Sequence, residues 1–425
     1  MMRRVEARAS LAGSFRVPGD KSASHRAVLL SALAKGESTI EGLSPGHDVA
    51  ASSQIVVQLG ARRRDNGAVA IITGPVQGLR ASERPLQCAN SGTTIRLMSG
   101  VVSALEGHHR LVGDPSLSRR PMDRIAVPLG LMGAIVTGEG PRLTPPLDII
   151  GHPELNSIHF SVPTASAQVK SAILLAGLSA RGTTTVHESL RTRSTTEDMM
   201  RMAGVHVECE DVETGRLVTL TPGRPTSQEW KVPADPSQAA FFCVLGLIHG
   251  DADIEVLDVE NSPERVGFVT VLRRMGGHLE QTPGASGVTL RARSSQLLAT
   301  EVHSSEVPSV DEVPILTVAA AAARGTSSFL DMGELRLKES DRFEGSMALA
   351  RRLGCEVWSE GDDFFVTGLN GARAFAHFVF HAGLDHRFVM SSAVAGTAGQ
   401  GCDIDGADTV SSSYPGFFDD LARLR

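Results

Sequence analysis

One unit recurs six times along the chain: an apolar helix rich in small residues, then a glycine, then a strand in which apolar and polar residues alternate. A regular period of this kind marks a structural repeat. The repeat glycines are fairly evenly spaced, at Gly36, Gly107, Gly182, Gly250, Gly325 and Gly401. After most copies a second, amphipathic helix ends in a small-residue turn such as Met132-Gly133-Ala134 and leads into another strand. We therefore predict an α/β fold.

The length of 425 residues favours two lobes with three units each, because a single core rarely grows beyond about 250–300 residues. The first helix of each unit is apolar or small nearly all round, as a buried helix is. We therefore expect these helices inside each lobe and the sheets outside. Two Pro- and Gly-rich passages, 17–20 and 221–226, are either crossings between the lobes or plain loops. With crossings there, one lobe is formed by 20–229 and the other by 1–19 plus 230–425.

The composition excludes several classes of protein. A formal net charge of -7 argues against a general nucleic-acid binder, because such proteins turn a basic face toward the phosphates. The five cysteines are scattered, with no CxxC pair, so we expect neither a disulfide framework nor a zinc site, and a reducing cytoplasm as the compartment. No apolar run approaches the roughly 18 residues of a membrane helix, and the first residues lack the apolar core of a secretory signal.

Polar side chains cluster just before or at the starts of the repeat helices. A helix start offers unpaired N–H groups and a partial positive charge, so converging starts that also carry Lys, Arg, Ser and Thr make a strong site for anions. The clusters are Lys21-Ser22 with Arg26, Asn90-Ser91-Gly92-Thr93, Ser166-Ala167-Gln168, Asp235-Pro236-Ser237, Asp311-Glu312 and Asp385-His386-Arg387. The first cluster is not a P-loop, because Asp20 stands where that motif requires glycine before the lysine.

Two further groupings point to anion chemistry. Gly92 lets backbone N–H groups approach a ligand closely, and arginines such as Arg96 and Arg120 can grip a phosphate or carboxylate with two hydrogen bonds; a lone Asn-Ser-Gly, however, is more often an ordinary helix cap. Lys338, Glu339 and Arg342 share a face if the stretch is helical, since residues three and four apart are then neighbours. This charge run is either a solvated face or part of a site where loops converge.

Taken together, these motifs resemble those of the 5-enolpyruvylshikimate-3-phosphate synthase family, also called 3-phosphoshikimate 1-carboxyvinyltransferases. The resemblance covers nearly the whole chain in order, and the motifs around Asn90 and Lys338 are the most specific. The matching residues are Lys21-Ser22-x-Ser-x-Arg26, Asn90-x-Gly-Thr, Arg120-Pro121, Ser166-Ala167-Gln168, Asp311-Glu312, Lys338-Glu339-Ser340-Asp341-Arg342 and Asp385-His386-Arg387.

The resemblance implies a two-lobe inside-out α/β barrel of the enolpyruvyl transferase type, each lobe three repeats of a βαβαββ unit, with the active site in the cleft between the lobes. It implies transfer of the enolpyruvyl group of phosphoenolpyruvate to the 5-hydroxyl of shikimate 3-phosphate, with release of phosphate through a tetrahedral intermediate. The implied reaction belongs to the shikimate pathway to chorismate and the aromatic amino acids. No metal and no organic cofactor is implied, and we expect a monomer.

The resemblance also assigns residues to each ligand and to proton transfer. Shikimate 3-phosphate is implied to contact Lys21, Ser22, Arg26, Ser166, Ala167, Gln168, Thr192, Arg193, Asp311 and Lys338. Phosphoenolpyruvate is implied to contact Lys21, Asn90, Gly92, Arg96, Arg120, Gln168, Arg342, His386 and Arg387. Asp311 is the implied base for the attacking hydroxyl, Glu339, with Lys21, the implied acid for the methylene carbon, and Lys338 a partner of the reacting hydroxyl.

Three positions bear on how closely the family pattern is followed. Thr192 stands where the family usually has serine, and Ser412 stands where many members have a lysine that contacts phosphoenolpyruvate. Gly92 is retained where herbicide-insensitive members carry alanine, so we expect inhibition by glyphosate, which resembles phosphoenolpyruvate.

Three other functions stay open at this point. The sister enzyme that uses a UDP-linked amino sugar typically has Lys-Asn where this chain has Lys21-Ser22, and a cysteine in the loop that reads Gly113-Asp114-Pro115-Ser116 here. A paralogue with another hydroxylated acceptor has no distinguishing feature in one sequence. A non-catalytic anion-binding relative would not need the Asp311 and Glu339 carboxylates beside anionic ligands.

Overall fold

The computed structural model describes residues 2–308 and 310–425. The chain forms two compact units. The central unit is Lys21–Val232, and the flanking unit combines Met1–Asp20 with Pro233–Arg425. Among the residues described, no helix combines the length and the apolar character that crossing a bilayer requires.

The α-helices of this part of the chain are α1 Lys21–Leu33, α2 His47–Gln58, α3 Gly92–Ser103, α4 Asp123–Leu131, α5 Ala167–Gly177, α6 Thr195–Met202, α7 Pro236–Ile248, α8 Gly267–Arg274, α9 Val313–Ala322, α10 Arg342–Arg352, α11 His386–Ala398 and α12 Phe417–Arg423.

The strands are β1 Met2–Val5, β2 Leu11–Phe15, β3 Gly36–Glu41, β4 Arg62–Asn66, β5 Val69–Gly74, β6 Leu86–Gln87, β7 Gly107–Val112, β8 Ile135–Glu139, β9 Thr144–Gly151, β10 His159–Val162, β11 Thr184–Glu188, β12 Val207–Val212, β13 Gly215–Leu220, β14 Glu229–Lys231, β15 Ala252–Val259, β16 His278–Pro283, β17 Val288–Arg293, β18 Glu301–His303, β19 Arg324–Leu330, β20 Glu356–Glu360, β21 Asp363–Leu369, β22 Phe378–His381 and β23 Cys402–Asp405.

The central unit contains three four-stranded sheets of one design, with strand orders β14-β3-β5-β4, β6-β7-β9-β8 and β10-β11-β13-β12. In each sheet the first two strands run parallel and the remaining pairs antiparallel. The order β6, α3, β7, α4, β8, β9 along the chain is the predicted βαβαββ repeat. The first sheet closes its repeat with β14, from the far end of the unit, because Trp230 pairs with Ile40.

The flanking unit repeats this design with one shorter copy. Its sheets have the orders β16-β17-β15-β2, β18-β19-β21-β20 and β1-β23-β22. The strand β2, far upstream, supplies the parallel neighbour of β15. The last sheet has three strands, because after β23 the chain continues into α12, as the early end of the sixth copy predicts.

The small-residue helices form the interior of each unit. Every residue of α7 and of α9 is buried, whereas strands such as β9 alternate between buried and more exposed positions. Small residues permit close approach: an added Cβ at Gly100 of α3 would overlap the carbonyl oxygen of Ala172 of α5. The repeat glycines Gly107 and Gly325 have φ of 116° and 103°, a region that glycine enters without steric cost. The predicted arrangement of helices inside and sheets outside is confirmed for each unit.

The unit boundaries differ slightly from the predicted 1–19, 20–229 and 230–425. Residues 230–232 belong to the central unit, since the Trp230 indole Nε1 donates to Ser31 Oγ at 3.0 Å. Asp20 belongs to the flanking unit, since its backbone N–H donates to the Pro233 carbonyl at 2.7 Å and its carboxylate accepts from Arg265 at 2.5 Å. These contacts join segments far apart in sequence, so local composition could not reveal them.

Candidate functional site

The predicted site residues divide between the two units, and each set is described within its own unit. The central unit carries Lys21, Ser22, Arg26, Asn90, Gly92, Arg96, Arg120, Ser166, Ala167, Gln168, Thr192 and Arg193. The flanking unit carries Asp311, Lys338, Glu339, Arg342, His386 and Arg387.

In the central unit, three of the predicted clusters are helix starts. Lys21 begins α1, Gly92 begins α3, and Ala167 begins α5. The residues before α3 and α5 are N-caps: Ser91 Oγ accepts from the Thr94 N–H at 3.0 Å, and Ser166 Oγ accepts from the Val169 N–H at 3.3 Å. The cap interpretation of Asn90-Ser91-Gly92 is therefore confirmed. The site interpretation stays a prediction, and the cap does not oppose it, because a capped helix start still directs its first N–H groups outward.

A hydrogen-bond chain ties α3 to α5. Arg96 Nη1 donates to Gln168 Oε1 at 2.7 Å, and Gln168 Nε2 donates to Thr93 Oγ1 at 3.0 Å. Gly92 lies between two guanidinium groups, since an added Cβ would be 2.9 Å from Nη1 of Arg96 and 2.9 Å from Nη1 of Arg120. The predicted residues Gly92, Arg96, Arg120 and Gln168 are thus neighbours.

Arg120 is oriented by the loop before α3. Its Nη2 donates to Asn90 Oδ1 at 2.8 Å, and Asn90 Nδ2 donates in turn to Asp114 Oδ2 at 2.6 Å. The Arg120 side chain is buried, and a buried guanidinium held in this way presents a fixed fork to an anion.

At the start of α1, Lys21 pairs with a carboxylate that the sequence did not predict. Lys21 Nζ lies 3.1 Å from Asp48 Oδ2, with both side chains largely buried. Asp48 is in the first turn of α2, and its backbone carbonyl accepts from Thr94 Oγ1 at 3.1 Å. Nothing in the sequence indicated that Asp48 belongs to the site, because Asp48 follows an ordinary loop and lies in none of the motifs.

A second group joins the start of α1 to the segment before α6. Arg193 Nη1 donates to Ser22 Oγ at 2.9 Å. Arg26 donates through Nε to Thr196 Oγ1 at 2.5 Å and through Nη2 to Ser171 Oγ at 2.7 Å. The predicted residues Ser22, Arg26 and Arg193 therefore lie together, and Thr196 and Ser171 are partners that sequence reasoning missed.

Thr192 faces a different partner from its neighbour Arg193. The Thr192 side chain is buried, and its hydroxyl donates to the Glu188 carboxylate. Any contact of Thr192 with a ligand is therefore made by a hydroxyl whose proton is already engaged within the protein.

In the flanking unit, one arginine gathers three carboxylates. Arg342 Nε donates to Asp385 Oδ2 at 2.7 Å, Nη1 donates to Asp311 Oδ1 at 2.8 Å, and Nη2 lies 2.7 Å from Glu339 Oε2. The Arg342 side chain is only 1% exposed, whereas those of Asp311 and Glu339 are 22% and 20% exposed. The arrangement fixes two carboxylates that solvent, and hence a ligand, can reach.

The predicted shared helix face of Lys338, Glu339 and Arg342 is wrong in its geometry. The helix α10 begins only at Arg342, with Asp341 as its N-cap, and Lys338 follows a short 3₁₀ segment, Gly333–Leu337. The Asp341 side chain caps this helix by accepting from the Glu344 N–H at 3.0 Å. Glu339 still lies against Arg342, and Lys338 is close enough to both for their charges to act on its pKa.

The start of α11 adds two cationic or polar groups. Asp385 caps this helix by accepting from the Arg387 N–H at 3.0 Å. The buried Arg387 side chain reaches Asp311 Oδ2 with Nη2 at 3.4 Å, while its Nε and Nη1 have no hydrogen-bond partner among the described residues. His386 is buried, and its Nδ1 lies 3.1 Å from Ser412 Oγ.

The pKa values of Lys338 and Asp385 are both lowered, for different reasons. Burial, aided by the nearby charge of Arg342 and opposed by those of Asp311 and Glu339, lowers the pKa of Lys338 from 10.5. For Asp385, burial acts to raise the pKa, but the charges of Arg342 and His386 prevail and the pKa is lowered. The carboxylate that holds Arg342 therefore stays ionised at neutral pH.

No three His, Cys, Asp or Glu side chains in residues 2–308 and 310–425 are grouped so that they could hold a metal ion. Each unit carries one surface of polar and charged side chains. The central unit presents helix starts with Lys and Arg, suited to anions, and the flanking unit presents accessible carboxylates beside cations, suited to moving protons near a bound anion.

The family model for EPSP synthase (3-phosphoshikimate 1-carboxyvinyltransferase) matches residues 5–421. Among curated proteins, the 3-phosphoshikimate 1-carboxyvinyltransferase of Streptococcus equi subsp. equi strain 4047 is 38% identical over 427 residues, 98% of this chain and 97% of the relative. That of Streptococcus equi subsp. zooepidemicus strain H70 is 38% identical over 436 residues, 100% of this chain and 99% of the relative.

Solved structures give the same result. The EPSP synthase of Acinetobacter baumannii superimposes with a TM-score of 0.86 at 35% identity, over 99% of this chain and 98% of that one. The enolpyruvyl transferase NikO of Streptomyces tendae superimposes with a TM-score of 0.77 at 18% identity, over 100% of this chain and 97% of that one, which is a likeness of fold.

Proposed function

Because the chain belongs to the family of EPSP synthases, the 3-phosphoshikimate 1-carboxyvinyltransferases, we propose that its two polar surfaces carry out the reaction of that family. The resemblance seen in the motifs is confirmed. The enzyme transfers the enolpyruvyl group of phosphoenolpyruvate to the 5-hydroxyl of shikimate 3-phosphate, giving 5-enolpyruvylshikimate 3-phosphate and phosphate in the shikimate pathway.

One observation carries the assignment of the chemistry to particular residues. The buried Arg342 holds Asp311 and Glu339 at 2.8 Å and 2.7 Å while both carboxylates stay partly exposed. A site that merely binds anions gains nothing from accessible carboxylates, since like charges repel. Two carboxylates that are held beside an anion site despite this repulsion are suited to accepting and returning protons.

In the addition step, the 5-hydroxyl oxygen bonds to C2 of phosphoenolpyruvate while C3 gains a proton, which gives the tetrahedral intermediate. Asp311 accepts the hydroxyl proton. Before this step its carboxylate is stabilised by ion pairs with Arg342 and Arg387. Glu339, with Lys21, supplies the proton to C3. In the elimination step, Glu339 takes a proton back from C3, the C2–O bond to phosphate breaks, and the enol ether forms. The departing phosphate takes the proton held by Asp311, which restores both carboxyl groups to their starting states.

Substrate binding is assigned by the neighbour relations within each unit. In the central unit, Ser22, Arg26 and Arg193 form one connected group. We assign this group to shikimate 3-phosphate, together with Lys21, Ser166, Ala167, Gln168 and Thr192 of the same unit and Asp311 and Lys338 of the flanking unit. Gly92, Arg96 and Arg120 form another, which we assign with Asn90, Gln168 and Lys21 to phosphoenolpyruvate. The same substrate is assigned to Arg342, His386 and Arg387 of the flanking unit.

The test is phosphate release from phosphoenolpyruvate, with and without shikimate 3-phosphate, by wild type and Glu339→Gln. We expect release only with shikimate 3-phosphate, and a fall in kcat of at least about 100-fold in the variant, as loss of a general acid-base group produces. The matched control is Glu344→Gln, an exposed carboxylate on α10 whose partner is Arg336, and it should keep wild-type activity.

Each contrary outcome removes one part of the proposal. No release by the wild type with shikimate 3-phosphate would favour a paralogue with another hydroxylated acceptor. Unchanged kcat in Glu339→Gln would remove this carboxylate from proton transfer. The cytoplasmic location, the monomeric state and the absence of a nucleic-acid partner stay predictions of the sequence.

A further inference from the structure

We propose that Lys170, Glu188 and Glu197 of the central unit form a buried positioning network that holds the segment 189–194 and thereby sets the affinity for the phosphorylated acceptor. The inference deepens the proposed function and rests on it, because Arg193 in this segment is assigned to shikimate 3-phosphate. None of the three residues is assigned a contact with substrate.

The network consists of one ammonium and two carboxylates. Lys170 Nζ lies 2.8 Å from Glu188 Oε2 and 2.6 Å from Glu197 Oε1. The side chains of Lys170 and Glu197 are 0% exposed and that of Glu188 is 1% exposed. Charges removed from water to this extent have a well-defined geometry, because any displacement leaves a charge without its partner.

The two carboxylates flank the segment that they are proposed to hold. Glu188 is the last residue of β11, and Glu197 lies in the first turn of α6, which begins at Thr195. A single ammonium from α5 therefore fixes both ends of 189–194. The middle is fixed too, because the Thr192 hydroxyl donates to Oε1 of Glu188, the oxygen that Lys170 does not use.

The network connects directly to the proposed binding surface. Arg193 follows Thr192 and donates to Ser22 Oγ at 2.9 Å. On the other side of the network, Ser171 follows Lys170, and Arg26 bridges the Ser171 hydroxyl at 2.7 Å and the Thr196 hydroxyl at 2.5 Å. The same two helices, α5 and α6, are thus joined once by buried charges and once by a substrate-binding arginine.

A cation on the neighbouring strand lies opposite Glu188. Arg216 is directly opposite Glu188 in the antiparallel pair β11 and β13, so both side chains leave the sheet on the same face. The Arg216 side chain is 13% exposed. The Arg216 Nε lies 3.7 Å from Asp211 Oδ1 of β12, so the ion pair of Arg216 lies outside the network.

Stability alone does not account for such a network, because well-packed apolar side chains commonly stabilise an interior as well as a buried ion pair does. Orientation of the segment is what fixed charges add. Loss of the network should therefore weaken acceptor binding more than it lowers kcat for bound substrates.

The experiment compares wild type, Glu188→Gln and Thr192→Val, with Thr192→Ser as the conservative variant. Shikimate 3-phosphate affinity is measured by calorimetry, and KM for phosphoenolpyruvate and kcat by phosphate release. Loss of one hydrogen bond to a charged group corresponds to about a tenfold change in an equilibrium constant. We expect the dissociation constant of shikimate 3-phosphate to rise about tenfold in Glu188→Gln and in Thr192→Val, with KM for phosphoenolpyruvate unchanged and affinity retained in Thr192→Ser.

Hydrogen exchange of the 189–194 amides supplies a readout of the segment itself. Exchange should be faster in Glu188→Gln and Thr192→Val than in wild type. It should be unchanged in the matched control Glu210→Gln, an exposed carboxylate on β12, the far edge strand of the same sheet. Thr192→Val keeps the proposal testable if Glu188→Gln does not fold, because it nearly conserves volume without unpairing a buried charge. Since Thr192 is itself assigned to shikimate 3-phosphate, its loss of affinity supports the network only together with faster exchange, and a loss of affinity with unchanged exchange would overturn the proposal.

Unchanged acceptor affinity in the variants would overturn the proposal, whether or not exchange is faster, because the network would then be purely structural. Equal losses of affinity for both substrates would overturn it as well. Failure of the proposed function is seen separately, as absent phosphate release by wild type, while calorimetry with shikimate 3-phosphate still decides whether the network controls acceptor binding.

Discussion

At the scale of single residues, the absence of one carbon atom shapes the surface assigned to phosphoenolpyruvate. Gly92 begins α3 between the Nη1 atoms of Arg96 and Arg120, and an added Cβ would be 2.9 Å from each. Both atoms are the ends of flexible side chains, so alanine can be accommodated, but only if the guanidinium groups shift. An anion bound by that pair would then lose part of its hydrogen bonding.

We expect glyphosate to inhibit the wild type in competition with phosphoenolpyruvate, and Gly92→Ala to raise the inhibition constant about tenfold or more, the scale of one weakened charged hydrogen bond. Steady-state kinetics at varied phosphoenolpyruvate measures both. Gly223→Ala, where an added Cβ meets nothing within 4 Å, is the control. Non-competitive inhibition, or equal inhibition of wild type and Gly92→Ala, would contradict the prediction.

A second residue-scale prediction concerns Lys338. Its pKa is lowered from 10.5 chiefly by burial, so in the free enzyme it loses its proton at a lower pH than an exposed lysine. If the ammonium binds the acceptor, kcat/KM for shikimate 3-phosphate falls as pH rises through that lowered pKa.

Lys338→Arg should move this basic limb of the pH profile to higher pH, because a guanidinium stays protonated there, even if overall activity drops. The measurement is kcat/KM for shikimate 3-phosphate from neutral to alkaline pH. Lys35→Arg, at an exposed position, should leave the profile unchanged. A basic limb at the same pH in Lys338→Arg would show that another group titrates.

At the scale of elements, the helix starts contribute to folding and carry residues that we assign to the ligands. Ser91, Ser166 and Asp385 cap α3, α5 and α11. Each cap satisfies one backbone donor and fixes the direction of the first turn. The residues that follow, Gly92, Gln168 and Arg387, are candidate ligand contacts because the capped turn presents them.

The close packing of α3 on α5 depends on Gly100, where a Cβ would overlap the Ala172 carbonyl. Gly100→Ala should therefore lower the free energy of unfolding by about 1–3 kcal/mol, the range of overpacked cores, although alanine is the better helix former. Urea titration followed by circular dichroism measures this. Gly130→Ala in α4, where a Cβ meets nothing within 4 Å, should be neutral or slightly stabilising, and equal stability of the two variants would refute the packing argument.

At the scale of the whole molecule, each unit has its own core. One buried apolar cluster lies entirely within the central unit and includes residues from Ala23 to Val232, and the other lies entirely within the flanking unit. The three sheets of the central unit are also complete within Lys21–Val232, because β14 closes the first of them. The central unit thus has what independent folding requires.

We expect the fragment 21–232 to fold by itself, with a cooperative urea transition and dispersed amide signals in its NMR spectrum. A fragment 21–228, which lacks β14, is the matched comparison and should be less stable, because β3 then loses its parallel neighbour. A fragment 21–232 without a cooperative transition would show that its core depends on the flanking unit.

The sequence by itself determined the repeat, the α/β class, the short sixth copy and the family. It did so because these features depend on local patterns: the period of apolar residues, glycine after a helix, and capping residues before one. The motif residues Gly92, Arg96, Arg120 and Gln168 could likewise be named in advance, and the structure brings these four together.

Only the tertiary structure decided which partners hold these residues. Asp48 beside Lys21, Thr196 and Ser171 beside Arg26, and the carboxylates around Lys170 come from segments distant in sequence, so no local pattern predicts them. The unit boundaries at Asp20 and Pro233 were likewise set by such contacts. The physical reason is that periodicity and capping act over a few residues, whereas buried charges are placed by the folding of the entire chain.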